Sequence, residues 1–129
     1  MRYKRRIRFG ETDPFGVAYF SFYFDLFKEA LDEFLRSKNI NPRDFYRNPS
    51  ENYAFPIVYA EGRFFKPLKY DDEIEIEVSI EEVRKTSIVF RFDGFKGEKV
   101  CEGKIVCVCI DKNWKKREIP EIVISTLKS

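Results

Sequence analysis

The chain has 129 residues, 43% of them hydrophobic and 36% charged, with a formal net charge of +2. That length holds one hydrophobic core and not two, so residues 1–129 read as a single domain, and the balance of apolar and charged residues excludes a disordered chain. A net charge of +2 is too small to imply nucleic acid as a partner, and no run approaches the roughly 18 apolar residues of a membrane span.

The opening RYKRRIRF sets Tyr3, Arg5, Ile7 and Phe9 on one face of a strand and Arg2, Lys4, Arg6 and Arg8 on the other. The basic face reads as a solvated strand face; the alternative is a surface for nucleotide phosphates or RNA. The positive start has no apolar stretch behind it, so it is no signal peptide, and the expected location is the cytoplasm. ETDPFG follows. Aspartate first, proline second and glycine fourth match a type I turn, so on local evidence Asp13 is a turn residue.

From Ser21 the period becomes helical. Tyr23, Phe27, Ala30 and Phe34 form a stripe widened by Phe24, Leu31 and Leu35, with Asp25, Lys28, Asp32 and Arg36 opposite. Ser21 is the expected N-cap and Asn39 with Pro42 the stop, which gives one helix of about 17 residues. NPRDFYRNPSENYAFP reads as a loop holding one helical turn.

Strands come next. PIVYAEGRFF is one, closed by Lys66 and Pro67. DEIEIEVSIEEV alternates isoleucine and valine with glutamate and serine; TSIVFRFDGF, a Lys96-Gly97 turn and the long KVCEGKIVCVCID complete the set. In that last run Val106 and Val108 alternate with Ile105, Cys107 and Cys109, so both faces are apolar. A lone helix covers one face only, and a second subunit or a loop is expected on the other. The three cysteines form no disulfide framework and read as small core residues rather than zinc ligands. REIPEIVISTLKS is a short strand or a loose C-terminal helix.

No glycine-rich phosphate loop and no dinucleotide fingerprint is present, and the chain contains no histidine for a Ser-His-Asp set. The order strand, turn, long helix, then antiparallel strands is that of a hotdog domain, an α+β fold in which a central helix is wrapped by a curled sheet of about five strands. Asp13, Gly16, Tyr19 and Tyr23 in DPFGVAYFSFY resemble the Asp-x-x-Gly-x-x-Tyr segment of the 4-hydroxybenzoyl-CoA thioesterase family, and FFKPLKYDDEIEIEV is similar to its aromatic-x-Pro segment and acidic pair. The branch most resembled is that of the Tol–Pal-associated acyl-CoA thioesterases.

The resemblance implies that Asp13 is the catalytic carboxylate of acyl-CoA hydrolysis, as general base or as nucleophile, and that the main-chain N–H of Phe20 receives the oxyanion. It further implies that Gly16 lets the thioester arm approach, that Tyr19 bonds within the site or supports the helix start, and that no metal or cofactor takes part. The family's pocket lies between subunits, which implies a homo-oligomer, a dimer or tetramer. Phe20 stands where the branch often carries histidine; a phenyl ring moves no proton, so only a single-acid mechanism fits. By charge alone, Lys66, Arg84 and Lys85 are candidates for CoA phosphates, with solvated surface as the plainer reading. A non-catalytic hotdog module binding an acyl or aromatic ligand is the alternative.

Overall fold

The computed structural model describes residues 1–129, beginning with β1 (Arg2–Arg6), a 3-10 turn (Phe9–Glu11) and α1 (Phe22–Ser37). A helical turn, α2 (Pro42–Tyr46), leads into a two-stranded ribbon of β2 (Arg47–Asn48) and β3 (Tyr53–Ala54). Then come β4 (Ile57–Phe64), β5 (Glu73–Val83), β6 (Ser87–Lys96), β7 (Glu98–Val108) and α3 (Glu121–Lys128). The main sheet is antiparallel in the order β1-β5-β6-β7-β4. The helical turn expected in the 41–56 loop is present, the ribbon is an addition to that expectation, and the C-terminal segment takes the helical alternative.

Alternation decides which way each strand faces. Ile74, Ile76 and Val78 of β5, Ile88, Phe90 and Phe92 of β6, and Cys101, Ile105 and Cys107 of β7 are buried against α1. From the helix, Leu26, Phe27, Ala30, Leu31 and Leu35 are fully buried. Phe27 stacks on Phe92 with ring centres 5.2 Å apart, and Phe34 meets Phe90 edge-on at 6.2 Å. Burial of one such ring contributes about 1.5–3 kcal/mol. The helix sits close to the sheet because Gly103 has no side chain: a Cβ there would lie 2.4 Å from the Phe27 ring.

The helix ends as its sequence directs. Asn39 is left-handed (φ 60), and the N–H groups of Asn39 and Ile40 close on the carbonyls of Arg36 and Leu35. The unbroken alternation expected of β5 is corrected by a bulge between Ile80 and Glu82, one extra residue that helps the sheet curl. On the outer face Arg91 bonds Asp93 and Glu102 while Lys99 and Lys104 reach Asp93 and Glu81. Val106 and Val108 are half-buried beside them.

The two sheet edges differ in chemistry. On β1, Arg2 pairs with Glu75 and Glu77, Lys4 with Glu75 and Arg6 with Glu73, so the basic face is matched by the acidic face of β5. That favours the solvated-face reading over a nucleic-acid surface. On β4, whose second edge has no strand beside it, Ile57, Val58, Tyr59 and Phe64 are exposed. No helix is long and apolar enough to cross a membrane.

Candidate active site

Asp13 opens a tight hairpin. The Gly16 N–H donates to the Asp13 carbonyl (2.9 Å), the Asp13 N–H donates to the Val17 carbonyl (2.9 Å), and Thr12 bridges Ala18. Gly16 is at φ 97, where an L side chain is strained even though the space around it is open. The Asp13 carboxylate is held by its own turn: Oδ1 accepts from the N–H groups of Phe15 (3.0 Å) and Val17 (3.4 Å). Oδ2 has no partner within the chain. The turn reading and the chemical reading are therefore compatible, one oxygen serving the loop and the other left available.

The segment between the hairpin and α1 leaves two amides open. Ala18 N–H donates to the Leu68 carbonyl (2.7 Å), Tyr19 N–H to the Glu11 carbonyl (2.8 Å) and Phe22 N–H to the Tyr19 carbonyl (2.9 Å). The N–H groups of Phe20 and Ser21 donate to no acceptor in the chain. Ser21 stands at the N-cap position as expected, but its side chain makes no capping bond. Its backbone is already helical (φ −72, ψ −20), whereas a residue that caps through its side chain is itself extended. Uncapped amides at the start of α1 carry the positive end of the helix dipole.

Asp13 and Phe20 line one shallow hollow of about 360 Å³, with Tyr23, Phe64, Phe65 and Lys66 around it. Tyr23 stacks on Phe64 at 4.3 Å, and burial pushes its phenol up to about 12, so it stays neutral. Residues 64–67 are a strand end by pattern and part of the aromatic-x-Pro segment by resemblance; their place as the second wall depends on the Ala18–Leu68 bond, which no local pattern announces. Lys66 is the one of the three candidate phosphate cations in this hollow, and it pairs with Glu98 at 3.0 Å. Arg84 lies beyond the far end of β5, paired with Glu82, and the Lys85 carbonyl there holds the Ile119 N–H.

Tyr19 does not line this hollow, but its ring packs on that of Phe20, 4.8 Å between centres, and the residue borders a separate hollow of about 540 Å³ along the polar side of α1, among Glu11, Asp25, Glu29 and Asp32. The wall of this second hollow holds a clamp that no local sequence pattern announces. The Arg5 guanidinium donates Nη2 to both oxygens of Glu11 (2.7 and 2.6 Å) and Nη1 to both of Glu29 (3.1 and 3.2 Å). Burial works against its charge, and the two carboxylates more than restore it, holding Arg5 above its ordinary value.

A larger cavity of about 570 Å³ lies at the other end of β4, lined by Tyr53, Phe55, Ile57, Ile110 and Trp114. Its one carboxylate, Asp111, is held by its own turn much as Asp13 is, Oδ1 accepting from the N–H groups of Asn113 (2.8 Å) and Lys115 (3.1 Å), but no helix start lines this cavity to offer open amides beside it. Cys101, Cys107 and Cys109 are buried free thiols, which burial pushes up to about 12, 12 and 11.

Residues 7–127 match the family model of the thioesterase-like superfamily. The chain is 33% identical to a 1,4-dihydroxy-2-naphthoyl-CoA hydrolase of Nostoc punctiforme over 98% of its own length and 86% of the relative. It is 27% identical to the acyl-CoA thioester hydrolase YbgC of Escherichia coli, over 98% and 95%. A crystal structure of a hypothetical protein from Aquifex aeolicus superposes with a TM-score of 0.88 at 31% identity, covering 98% of both chains.

Proposed function

The chain belongs to the thioesterase-like superfamily of hotdog-fold hydrolases, and on that footing we propose that it cleaves acyl-CoA through Asp13 as its single catalytic acid. One observation carries the reading: the untethered Oδ2 of Asp13 shares a hollow with Phe20, whose N–H has no acceptor. The thioester carbonyl places its oxygen at the amide of Phe20, and the reacting carbon faces Asp13. As general base, Asp13 takes a proton from water as the new C–O bond forms. The C–S bond then breaks, the sulfur takes that proton, and CoA thiol and the carboxylic acid leave. As nucleophile, the same Oδ2 attacks the carbonyl carbon and expels CoA thiolate as the C–S bond breaks; water opens the resulting mixed anhydride to the carboxylic acid and free Asp13, and the proton released goes to the thiolate. Neither route uses a metal, a cofactor or an imidazole, which separates this site from the Asp–His pair of the Tol–Pal-associated branch.

The rings of Phe20, Tyr23, Phe64 and Phe65 favour a bulky, aromatic acyl group, in keeping with the naphthoyl-CoA named for the Nostoc relative. Gly16 at the hairpin tip leaves the approach to Asp13 uncrowded. The active form is a homo-oligomer, with a second copy along the bare apolar edge of β4 next to the Asp13 hollow. Its free buried thiols suit a reducing cytoplasm.

The decisive variant is Asp13→Asn, assayed for free thiol release from aromatic and aliphatic acyl-CoAs. Turnover is expected to fall at least about 100-fold, with binding of a non-cleavable thioether analogue retained. Wild-type turnover by a folded variant refutes the assignment. Saturable binding by the wild type with no thiol released establishes a binding module instead.

A further inference from the structure

We infer that Arg5 is a positioning residue of this site: by tying Glu11 to Glu29 it fixes the Asp13 hairpin and the Phe20 amide relative to α1. The inference rests on the reading of Asp13 as the reacting acid.

The position itself raises the question. On β1 and just past its end the inward positions 3 and 7 hold Tyr3 and Ile7, and an apolar residue at position 5 would complete the row. An arginine is there instead, with its side chain only 7% exposed and its Nε buried without any acceptor. A buried arginine paired with partly exposed carboxylates (18% for Glu11 and 37% for Glu29) is seldom worth more to stability than a well-packed apolar side chain of similar volume. Stability is therefore a poor reason for Arg5. Geometry is a better one.

Each link from the guanidinium to the reacting groups is short. Nη2 grips both carboxylate oxygens of Glu11, two residues before Asp13, and Glu11 Oε1 also accepts from the Arg8 N–H (2.7 Å). The Glu11 carbonyl in turn accepts the Tyr19 N–H, one residue before Phe20. Nη1 grips Glu29 two turns into α1, and the Tyr3 hydroxyl donates to the same carboxylate (3.0 Å). The Phe22 ring lies against the guanidinium, 5.1 Å from ring centre to Cζ. One planar group thus fastens the strand, the turn before the hairpin and the helix that carries the open amides. An ammonium cannot copy this, since it lacks the rigid fork that meets two carboxylates at once. Displacing a reacting group by about 1 Å can cost about 100-fold in rate, so loss of the clamp is read in kcat.

The test compares wild type, Arg5→Met, Arg5→Lys, Glu29→Gln and Asp13→Asn on one acyl-CoA, with thermal melting and amide hydrogen exchange on each. Arg5→Met is expected to fold and to lose about tenfold or more in kcat with KM within about twofold, and Arg5→Lys to lie between it and wild type. Exchange at residues 11–20 accelerates while β5 and β6 stay protected. Should Arg5→Met not fold, Glu29→Gln decides, since it loosens the helix end of the clamp without stranding a buried charge. A threefold or greater fall in its kcat at constant KM supports the clamp. Folded variants with wild-type kcat and unchanged exchange overturn it, as does a loss that follows the folded fraction. Asp13→Asn with full turnover overturns the underlying site reading separately, whatever Arg5 does.

Discussion

Replacing Gly103 by alanine tests how closely the helix lies on the sheet. The added Cβ would stand 2.4 Å from Cε2 of Phe27, 2.9 Å from its Cδ2 and 2.9 Å from the Glu61 carbonyl oxygen. Phe27 has no room to retreat, being fully buried and stacked on Phe92. The ring must move by more than 1 Å to restore ordinary contact, and overpacking of that kind costs about 3 kcal/mol, the upper part of the usual range. Against this, alanine loses less backbone entropy than glycine, a gain of about 0.5–1 kcal/mol. The clash prevails, leaving a net loss of about 2 kcal/mol. For 129 residues, at about 2.1 cal/mol/K of unfolding entropy each, that lowers Tm by about 7 °C. Calorimetry on matched samples reads it directly. Gly62→Ala is the control, because its nearest neighbour, Phe64 Cε1 at 3.0 Å, belongs to a partly exposed ring that can swing aside; its Tm is expected to change by less than half as much. A Gly103→Ala protein melting at or above wild type would sink the packing argument.

With no histidine in the chain, no imidazole titrates between about pH 5 and 8, so kcat should stay level from about pH 6 to 8; an inflection near pH 6.5 in the pH–rate profile contradicts the single-acid mechanism. The three thiols, buried and pushed up to about 11–12, should resist a thiol reagent in the native protein and react together on unfolding. Rapid labelling of one of them under native conditions would show that the core around β7 is open. Asp93 is held below the ordinary carboxylate range: burial opposes this, and the Arg91 and Lys99 bonds outweigh it. A depressed folded-state pKa means stability that is present at neutral pH and fades as pH falls below about 3.9 and through the lower folded value. Urea unfolding of Asp93→Asn should therefore show a deficit at pH 7 that narrows on acidification; a deficit constant down to about pH 3 contradicts the linkage.

What the sequence made legible follows from which forces are local. The α1 stripe and the alternation of β5 record which side of each element faces the core, so helix, strands and turns could be placed in order. The Asp13 turn was legible because proline and glycine act on their own backbone. Ser21 marks the N-cap position correctly, but residue type alone did not show that its backbone has already entered the helical region and leaves the hydroxyl without a capping bond. The β2–β3 ribbon has two residues per strand, too few for any periodicity. Glu11 and Glu29 found a common partner only once β1 had docked beside α1, and the clearance at Gly103 exists only because Phe27 lies above it. Such features belong to pairs of elements and leave no mark on either alone.

The ionic mesh on the outer sheet face, from Arg91 through Asp93 and Glu102 to Lys99, has a thermal consequence. Water's hold on charged groups weakens as temperature rises, so the cost of bringing these ions together shrinks just when chain disorder grows. Heat therefore tightens this surface relative to the rest of the molecule, while concentrated salt at room temperature loosens it. The sheet carries on its back a brace that works best hot.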